Sequence, residues 1–292
     1  MKLEGSMTAL ATPFKFGALD EEAYRWLIDY QIANGTKVLI PMGTTGESVT
    51  MGNEERWRAI EVCVKAAAGR ALVFAGCGSN STATTAGEVM AARTYGADGA
   101  MIVTPYYNKP TQAGLVEHFK TIARLQPGFP LIAYNVPGRT GVDMLPETVE
   151  RLCEVKEVVA LKEATGLALR ALDIIEKVGD RLTLLSGDDF TVLPFIACGG
   201  RGVISVSSNV VPRLMADLVA AALANDFKTA LALQLKLAPL HRVLFSESNP
   251  IPVKMALHLM GRFDNEIRPP LTPLTGPNTA KLRAELTHLK VL

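Results

Sequence analysis

The sequence lacks clusters of basic residues and long apolar segments, the features typical of proteins that bind nucleic acids or membranes. Its 292 residues carry a formal net charge of +1, with lysine and arginine scattered along the sequence. Neither a nucleic acid nor a membrane surface is therefore a predicted partner. The most hydrophobic helical segment, residues 214–223, is short and contains Asp217, and residues 1–5 lack the apolar core of a signal peptide. These absences predict a cytoplasmic protein that acts on a small molecule.

Cysteine and histidine are scarce too, which argues against disulfide and metal chemistry. No two of the four cysteines form a C-x-x-C pair, and all lie among apolar neighbours, so they are predicted to be reduced core thiols. The four histidines lie far apart, without ligand spacing, which argues against a zinc-dependent enzyme. Asp188 and Asp189 could bind a divalent cation, but no third carboxylate accompanies them. No metal site is expected.

Eight short apolar or β-branched segments alternate with segments of helical periodicity. The predicted strands are residues 8–12, 37–42, 71–75, 99–104, 130–135, 158–162, 182–186 and 202–205. The repeat of roughly 20–35 residues suits a strand followed by a helix. Eight such units predict an α/β fold, a closed (β/α)8 TIM barrel. An open doubly wound sheet is disfavoured because its dinucleotide fingerprint lacks the third glycine at residues 76–81.

The strand pattern stops near residue 225. Helical segments follow at residues 227–245, 252–260 and 278–289, separated by a proline-rich loop. We therefore expect a catalytic barrel over residues 1–225 and a small C-terminal helical domain over residues 226–292. Asp20, Asn53 and Ser81 are predicted to cap three of the barrel helices at their N-termini.

Lys162 is the most informative residue in the predicted strands. It ends an apolar segment that a barrel covers on both faces, so burial should lower the pKa of its amine and leave a nucleophile for a ketone. The ordinary alternative is a lysine paired with a carboxylate such as that of Glu163. However, successive residues of a strand point to opposite faces, which places Glu163 badly for that role.

Other polar residues also follow predicted strands, where a TIM barrel builds its active site. Tyr134 could pass protons to a reacting group or be an ordinary core tyrosine. Thr44 and Thr45 lie between glycines and could hold a carboxylate or simply form a turn. Arg139 could bind a carboxylate with two hydrogen bonds or be a surface residue.

Several motifs in order along the chain resemble one enzyme superfamily. The GTTGE stretch at residues 43–47 and the strand lysine Lys162 are similar to those of the pyruvate-dependent Schiff-base aldolases, which include N-acetylneuraminate lyase. Further motifs resemble the dihydrodipicolinate synthase family: PYYNKP at 105–110, YNVPGRT at 134–140, LSGDD at 185–189 and ESNPIPVK at 247–254. The resemblance covers nearly the whole chain.

The resemblance implies a catalytic apparatus. Lys162 would form an imine with pyruvate, and no metal or organic cofactor would be needed. Tyr134, Thr44 and Tyr107 would form a proton relay, with Tyr107 donated by a neighbouring subunit. The expected assembly is a homotetramer, built as a dimer of dimers.

The resemblance also implies how substrates are held. Thr45 would help to bind the carboxylate of pyruvate, and Arg139 would bind that of the second substrate, aspartate semialdehyde. Backbone atoms of Gly187 and Ile204 would line the site. Two other functions stay open: a different pyruvate-dependent aldolase, such as an N-acetylneuraminate or keto-sugar-acid lyase, and a non-catalytic barrel that binds a keto acid.

One departure from the family concerns feedback inhibition. Members that lysine inhibits bind it at a dimer interface through a glutamate and histidines, whereas the corresponding positions here are Thr84, Asn53 and Arg56. The carboxylate for the ammonium group of lysine is missing, and a cation has been added. Weak or absent inhibition by lysine is expected.

Overall fold

Eight parallel strands close into a barrel in the computed structural model, which describes residues 3–292. The ten strands are β1 (Gly5–Ala9), β2 (Phe14–Lys15), β3 (Ala18–Leu19), β4 (Val38–Ile40), β5 (Leu72–Cys77), β6 (Gly99–Val103), β7 (Leu131–Asn135), β8 (Val158–Glu163), β9 (Thr183–Ser186) and β10 (Gly202–Ser205). Strands β2 and β3 form a separate antiparallel hairpin. The predicted TIM barrel is confirmed, with the first strand at residues 5–9 instead of 8–12.

Helices connect the strands and extend beyond the last of them. They are α1 (Glu21–Ala33), α2 (Asn53–Ala67), α3 (Thr82–Thr94), α4 (Gln112–Leu125), α5 (Pro137–Thr140), α6 (Pro146–Leu152), α7 (Arg170–Val178), α8 (Val192–Ala197), α9 (Pro212–Leu223), α10 (Phe227–Leu244), α11 (Ile251–Leu259) and α12 (Gly276–His288). Among the described residues, no helix combines the length and the apolar character needed to cross a membrane.

Two of the three predicted N-caps are present. The Asp20 side chain accepts a hydrogen bond from the backbone N–H of Ala23, and the Ser81 side chain accepts one from Thr84. The prediction for Asn53 was wrong, because Asn53 is already the first residue of α2 and extended Gly52 precedes it as the cap. A side-chain cap requires a non-helical backbone at the capping residue.

The barrel has two apolar layers. A large cluster fills the space between the strands and the surrounding helices, and a smaller one fills the interior of the barrel. The interior cluster contains Met7, Ile132, Tyr134, Leu185 and Ile204. Because alternate residues of a strand face inward, this cluster forms the floor below the polar end of the barrel.

The C-terminal helices share a core with the end of the barrel. Val203 of β10 and Met215 of α9 belong to the same apolar cluster as Leu237 of α10 and Leu286 of α12. The proposed boundary near residue 225 falls in the short connection between α9 and α10. All four cysteines are free: two are buried, and Cys153 and Cys198 are partly buried.

Candidate active site

A cavity of about 560 Å³ opens at the carboxyl ends of the barrel strands. Polar and glycine residues at the ends of the strands and in the segments that follow them line it. They include Thr44, Thr45, Tyr134, Arg139, Lys162 and Gly187. Six of the eight predicted site residues therefore surround one space, whereas Tyr107 and Ile204 do not line it.

Lys162 reaches this cavity from β8 with only 5% of its surface exposed. Its amine lies 4.2 Å from the centre of the Tyr134 ring, and within residues 3–292 it forms neither a hydrogen bond nor an ion pair. Burial lowers the pKa of Lys162 to about 7, with the charge of Asp189 opposing this change and that of Arg139 adding to it. A large fraction of the amine is therefore neutral near pH 7 and able to attack a carbonyl carbon.

Glu163 faces away from the amine and has partners of its own. Its carboxylate accepts hydrogen bonds from the side chain of Asn135 at 3.0 Å and from the backbone N–H of Thr165 at 2.7 Å. Burial raises the pKa of Glu163, while the hydrogen bond from Asn135 lowers it. The alternative of a Lys162–Glu163 ion pair is not realised in this structure.

Tyr134 and Thr44 connect the floor of the site to its wall. The phenol is 6% exposed, and burial raises its pKa, although the charge of Arg139 and then the Thr44 side chain oppose this change. Strand register places Tyr134 of β7 directly beside Lys162 of β8. A phenol in this position can exchange protons with a group that forms on the lysine nitrogen.

A residue to which sequence analysis gave no role, Asn249, joins two predicted substrate-binding residues. Its side-chain N–H donates to the hydroxyl of Thr45 at 3.0 Å, and its backbone carbonyl accepts a hydrogen bond from the Arg139 guanidinium at 3.3 Å. The Oδ1 atom of Asn249 is buried and has no hydrogen-bond partner in the described chain. The motif at residues 247–254 contained this asparagine, but no local pattern indicated that it lies beside the threonines.

A buried ion pair fixes the turn that carries the two threonines. Glu47 accepts a hydrogen bond from the amine of Lys254 at 2.5 Å and another from the backbone N–H of Arg268 at 2.9 Å. Both Glu47 and Lys254 are almost fully buried, with 1% and 3% of their side chains exposed. The C-terminal helices thus anchor the wall of the cavity from behind.

Gly187 is required by the position of the lysine. A Cβ atom at this residue would lie 2.6 Å from the Cβ of Ala164 and 3.1 Å from the Cε of Lys162. Contacts this short force one of the groups to move. The absence of a side chain therefore leaves the path of Lys162 into the cavity open.

Tyr107 and Ile204 occupy different environments from the other predicted residues. Tyr107 is 88% exposed and has a left-handed backbone with φ of 74°. Ile204 is 1% exposed, and its side chain packs in the interior cluster below the cavity. The single chain brings neither side chain to the lysine. In the part of the chain that the structure describes, no cluster of metal-binding side chains occurs.

A buried amine with a lowered pKa, beside a phenol at the catalytic end of a TIM barrel, defines a class of enzyme that can form a Schiff base with a carbonyl substrate. The model of the dihydrodipicolinate synthetase family matches residues 2–289. The chain belongs to this family.

Named relatives agree with this assignment over their full lengths. The chain is 51% identical over 287 residues to the 4-hydroxy-tetrahydrodipicolinate synthase of Maridesulfovibrio salexigens, covering 98% of each chain. Among solved structures, the dihydrodipicolinate synthase from Aquifex aeolicus matches with a TM-score of 0.96 at 45% identity, covering 99% of each chain. The chloride-inhibited enzyme from Acinetobacter baumannii, complexed with pyruvate, matches with a TM-score of 0.97 at 42% identity, covering 100% of each chain.

Proposed function

We propose that this chain condenses pyruvate with L-aspartate 4-semialdehyde through an imine on Lys162. The product is 4-hydroxy-tetrahydrodipicolinate, formed in the first committed step of diaminopimelate and lysine biosynthesis. Membership of the family and the names of the relatives support this activity. The observation that carries the mechanism is the buried Lys162 amine, which has no hydrogen-bonding partner in residues 3–292 and a pKa of about 7.

The reaction begins with attack of the neutral Lys162 amine on the C2 carbonyl of pyruvate. The resulting carbinolamine loses water and becomes an iminium ion, which withdraws electrons and acidifies the methyl group. Loss of a methyl proton gives an enamine, whose carbon attacks the aldehyde of the second substrate. The amino group of that substrate then displaces Lys162 from C2, closing the ring and freeing the enzyme. One water is lost overall, and no cofactor takes part.

Tyr134, Thr44 and Tyr107 form the proposed proton relay. Tyr134 faces the lysine nitrogen and lines the same cavity as Thr44, which supports a path for protons between the carbinolamine and the cavity wall. Tyr107 would complete the relay in the site of a second copy of the chain. Its 88% exposure and its position outside its own cavity agree with that role.

Four residues would hold the substrates. Thr45 would contribute to the pocket for the pyruvate carboxylate, and Arg139 would bind the carboxylate of the semialdehyde. Backbone atoms of Gly187 and Ile204 would line the remaining wall. The link that Asn249 makes between Thr45 and Arg139 supports this arrangement, because it joins the two carboxylate-binding residues into one unit.

The working assembly would be a cytoplasmic homotetramer made of two dimers, since each Tyr107 must reach a neighbouring site. Analytical ultracentrifugation and activity can be compared across protein concentrations. Loss of activity together with dissociation of the dimer supports a shared site. A fully active monomer would remove the role of Tyr107 in a partner's site.

Trapping of the imine tests the proposed chemistry directly. Incubation with pyruvate and sodium borohydride should add one reduced pyruvate to the intact mass, and peptide mapping should locate it at Lys162. Lys162→Ala should lose both the adduct and turnover, whereas Lys156→Ala, at an exposed residue just before β8, should retain both. An adduct at another lysine would overturn the mechanism.

The same preparation separates the two alternative functions. Turnover with pyruvate and N-acetylmannosamine, but not with aspartate semialdehyde, would indicate a sialic-acid-type lyase. Binding of pyruvate without an adduct or turnover would indicate a non-catalytic barrel. The YNVPGRT motif containing Arg139 and the double tyrosine at residues 106–107 favour the synthase.

Inhibition by lysine should be weak or absent. Thr84 and Asn53 are exposed and bring no carboxylate, and Arg56 forms a 2.6 Å ion pair with Glu88 beside a second cavity of about 340 Å³. A cationic amino acid would find no counter-charge at Thr84 and a fixed positive charge at Arg56. Initial rates measured with added L-lysine test this expectation, and inhibition at micromolar lysine would contradict it.

A further inference from the structure

The proposed chemistry creates a problem that the residues named so far do not solve. Once Lys162 has formed an iminium ion, its nitrogen carries a positive charge that it must keep in order to withdraw electrons. The free amine can escape the cost of burial by losing its proton, but the iminium ion cannot do so and still serve in catalysis. A buried anion near the nitrogen would stabilise this charge.

Asp189 is the carboxylate whose location fits this need. It lies two residues after Gly187, the residue against which the Lys162 side chain packs, and it is 1% exposed. One carboxylate oxygen accepts hydrogen bonds from the backbone N–H groups of Val206 at 3.1 Å and Ser207 at 2.9 Å. Val206 itself lines the Lys162 cavity. The carboxylate is therefore held immediately behind the wall of the site.

The contacts of Asp189 in the described chain leave one of its carboxylate oxygens without a partner. Its Oδ1 atom is buried and has no hydrogen-bond partner in residues 3–292, and no lysine or arginine of that range forms an ion pair with it. His241 of α10 lies close by, with its Nδ1 2.8 Å from the hydroxyl of Ser207. Burial lowers the pKa of His241 although Asp189 opposes the change, which leaves this ring largely neutral near pH 7.

On this basis we infer that Asp189 is the buried counter-ion of the iminium ion on Lys162. The inference rests on the proposed imine chemistry and adds a residue that acts on it through space. Asp189 acts by positioning charge and does not touch the reacting atoms. Hydrogen bonds from two backbone N–H groups hold the carboxylate in place. The carboxylate therefore does not have to move as the imine forms and decays.

The other titratable groups around Lys162 and Asp189 are less suited than Asp189 to act as the counter-ion. Lys162 shares its cavity with Tyr134, Arg139 and Asp188. Arg139 adds positive charge, Tyr134 is held in its neutral phenol form by burial, and Asp188 is only partly buried and caps the turn at residue 190. Within residues 3–292, the titratable groups besides Lys162 whose pKa the charge of Asp189 influences are His241 and the adjacent Asp188.

The decisive variant is Asp189→Asn, which removes the charge and keeps an oxygen that can accept both N–H groups. Trapping of the pyruvate adduct by cyanoborohydride should be measured across pH for the wild type and the variant. The acid side of the profile reports the free amine, and the alkaline side reports loss of the proton from the iminium ion. Removing the anion should move both sides to lower pH together, by about one unit, as expected for a charge at close range.

Two further variants make the result unambiguous. Asp189→Ser is a second uncharged replacement, used if the asparagine variant does not fold, and the same displacement is expected. Glu163→Gln removes a buried carboxylate on the face of β8 opposite to Lys162. It should leave both sides of the pH profile unshifted. A profile of either Asp189 variant that is lower in amplitude but unshifted would show a merely structural residue and overturn the inference. Failure of the wild type to form an adduct at Lys162 would instead overturn the proposed function.

Discussion

Replacing Lys162 with methionine should stabilise the barrel while abolishing the imine. Methionine has a similar length and no charge, so it can fill the same space among the interior apolar residues. Burial lowers the pKa of Lys162 from 10.5 to about 7, so the amine binds a proton more weakly in the folded state than in the unfolded chain. At 1.36 kcal/mol per unit, this difference costs the wild type about 5 kcal/mol of stability when the lysine is fully protonated in both states.

The cost depends on pH in a defined direction. Below pH 7 the amine is protonated in both states, and the full cost applies. As the pH rises from 7 towards 10.5, only the unfolded chain still binds the proton, so the cost declines and vanishes above 10.5. The advantage of Lys162→Met should accordingly fall from about 5 kcal/mol at pH 6 to about 2 kcal/mol at pH 9.

Urea unfolding, followed by circular dichroism at both pH values and one protein concentration, measures this advantage. Lys156→Met serves as the control, because Lys156 is exposed and its replacement should change stability little at either pH. The same samples should show no pyruvate adduct for Lys162→Met. A variant that is less stable than the wild type, or an advantage that is equal at pH 6 and pH 9, would refute the account of Lys162 as a desolvated amine.

Three further outcomes follow from the geometry of the site. Gly187→Ala should reduce the rate of adduct formation at least tenfold, measured by intact mass, because the new Cβ would lie 2.6 Å from that of Ala164 and crowd Lys162. Tyr134→Phe should lower kcat by about 10²–10⁴-fold, as expected for a lost proton-transfer group, while a slowly formed adduct can still be trapped. Arg139→Ala should raise the KM for aspartate semialdehyde more than that for pyruvate, and equal changes would argue against its assignment to the second substrate.

The fold was predictable because the barrel repeats one simple pattern. Each of the eight barrel strands appears as a short apolar segment, and each lies at or close to its predicted position. The first strand was misplaced because residues 5–12 are apolar or small almost throughout, and the segment gives no signal for where pairing with β10 stops. The hairpin of β2 and β3 was not predicted, because strands of two residues are too short to show a period.

The site was predictable where its residues terminate strands and not where distant segments meet. Lys162 and Tyr134, which both line the cavity, were singled out because a charged or phenolic residue interrupts an apolar strand. The partners Asn249 and Thr45 are 204 residues apart, and Lys254 and Glu47 are 207 residues apart. Contacts between residues so far apart produce no periodic pattern in a single sequence. The C-terminal helices were therefore predicted as a separate small domain and not as a support for the cavity wall.

Two buried lysines in this chain differ in a way that bears on the proposed role of Lys162 as the nucleophile. Lys162 and Lys254 are 5% and 2% exposed, and burial lowers the pKa of both amines. Lys254, however, donates to Glu47 at 2.5 Å, so its charge is neutralised by contact and its proton is held. Lys162 has no hydrogen-bonded carboxylate in residues 3–292, but the charge of Asp189 opposes the lowering of its pKa. Its amine can therefore lose the proton, and in the proposed mechanism Asp189 would stabilise the cation once the imine forms. Burial alone does not create reactivity: the separation between the amine and its counter-charge decides whether a buried lysine holds the structure together or attacks a substrate.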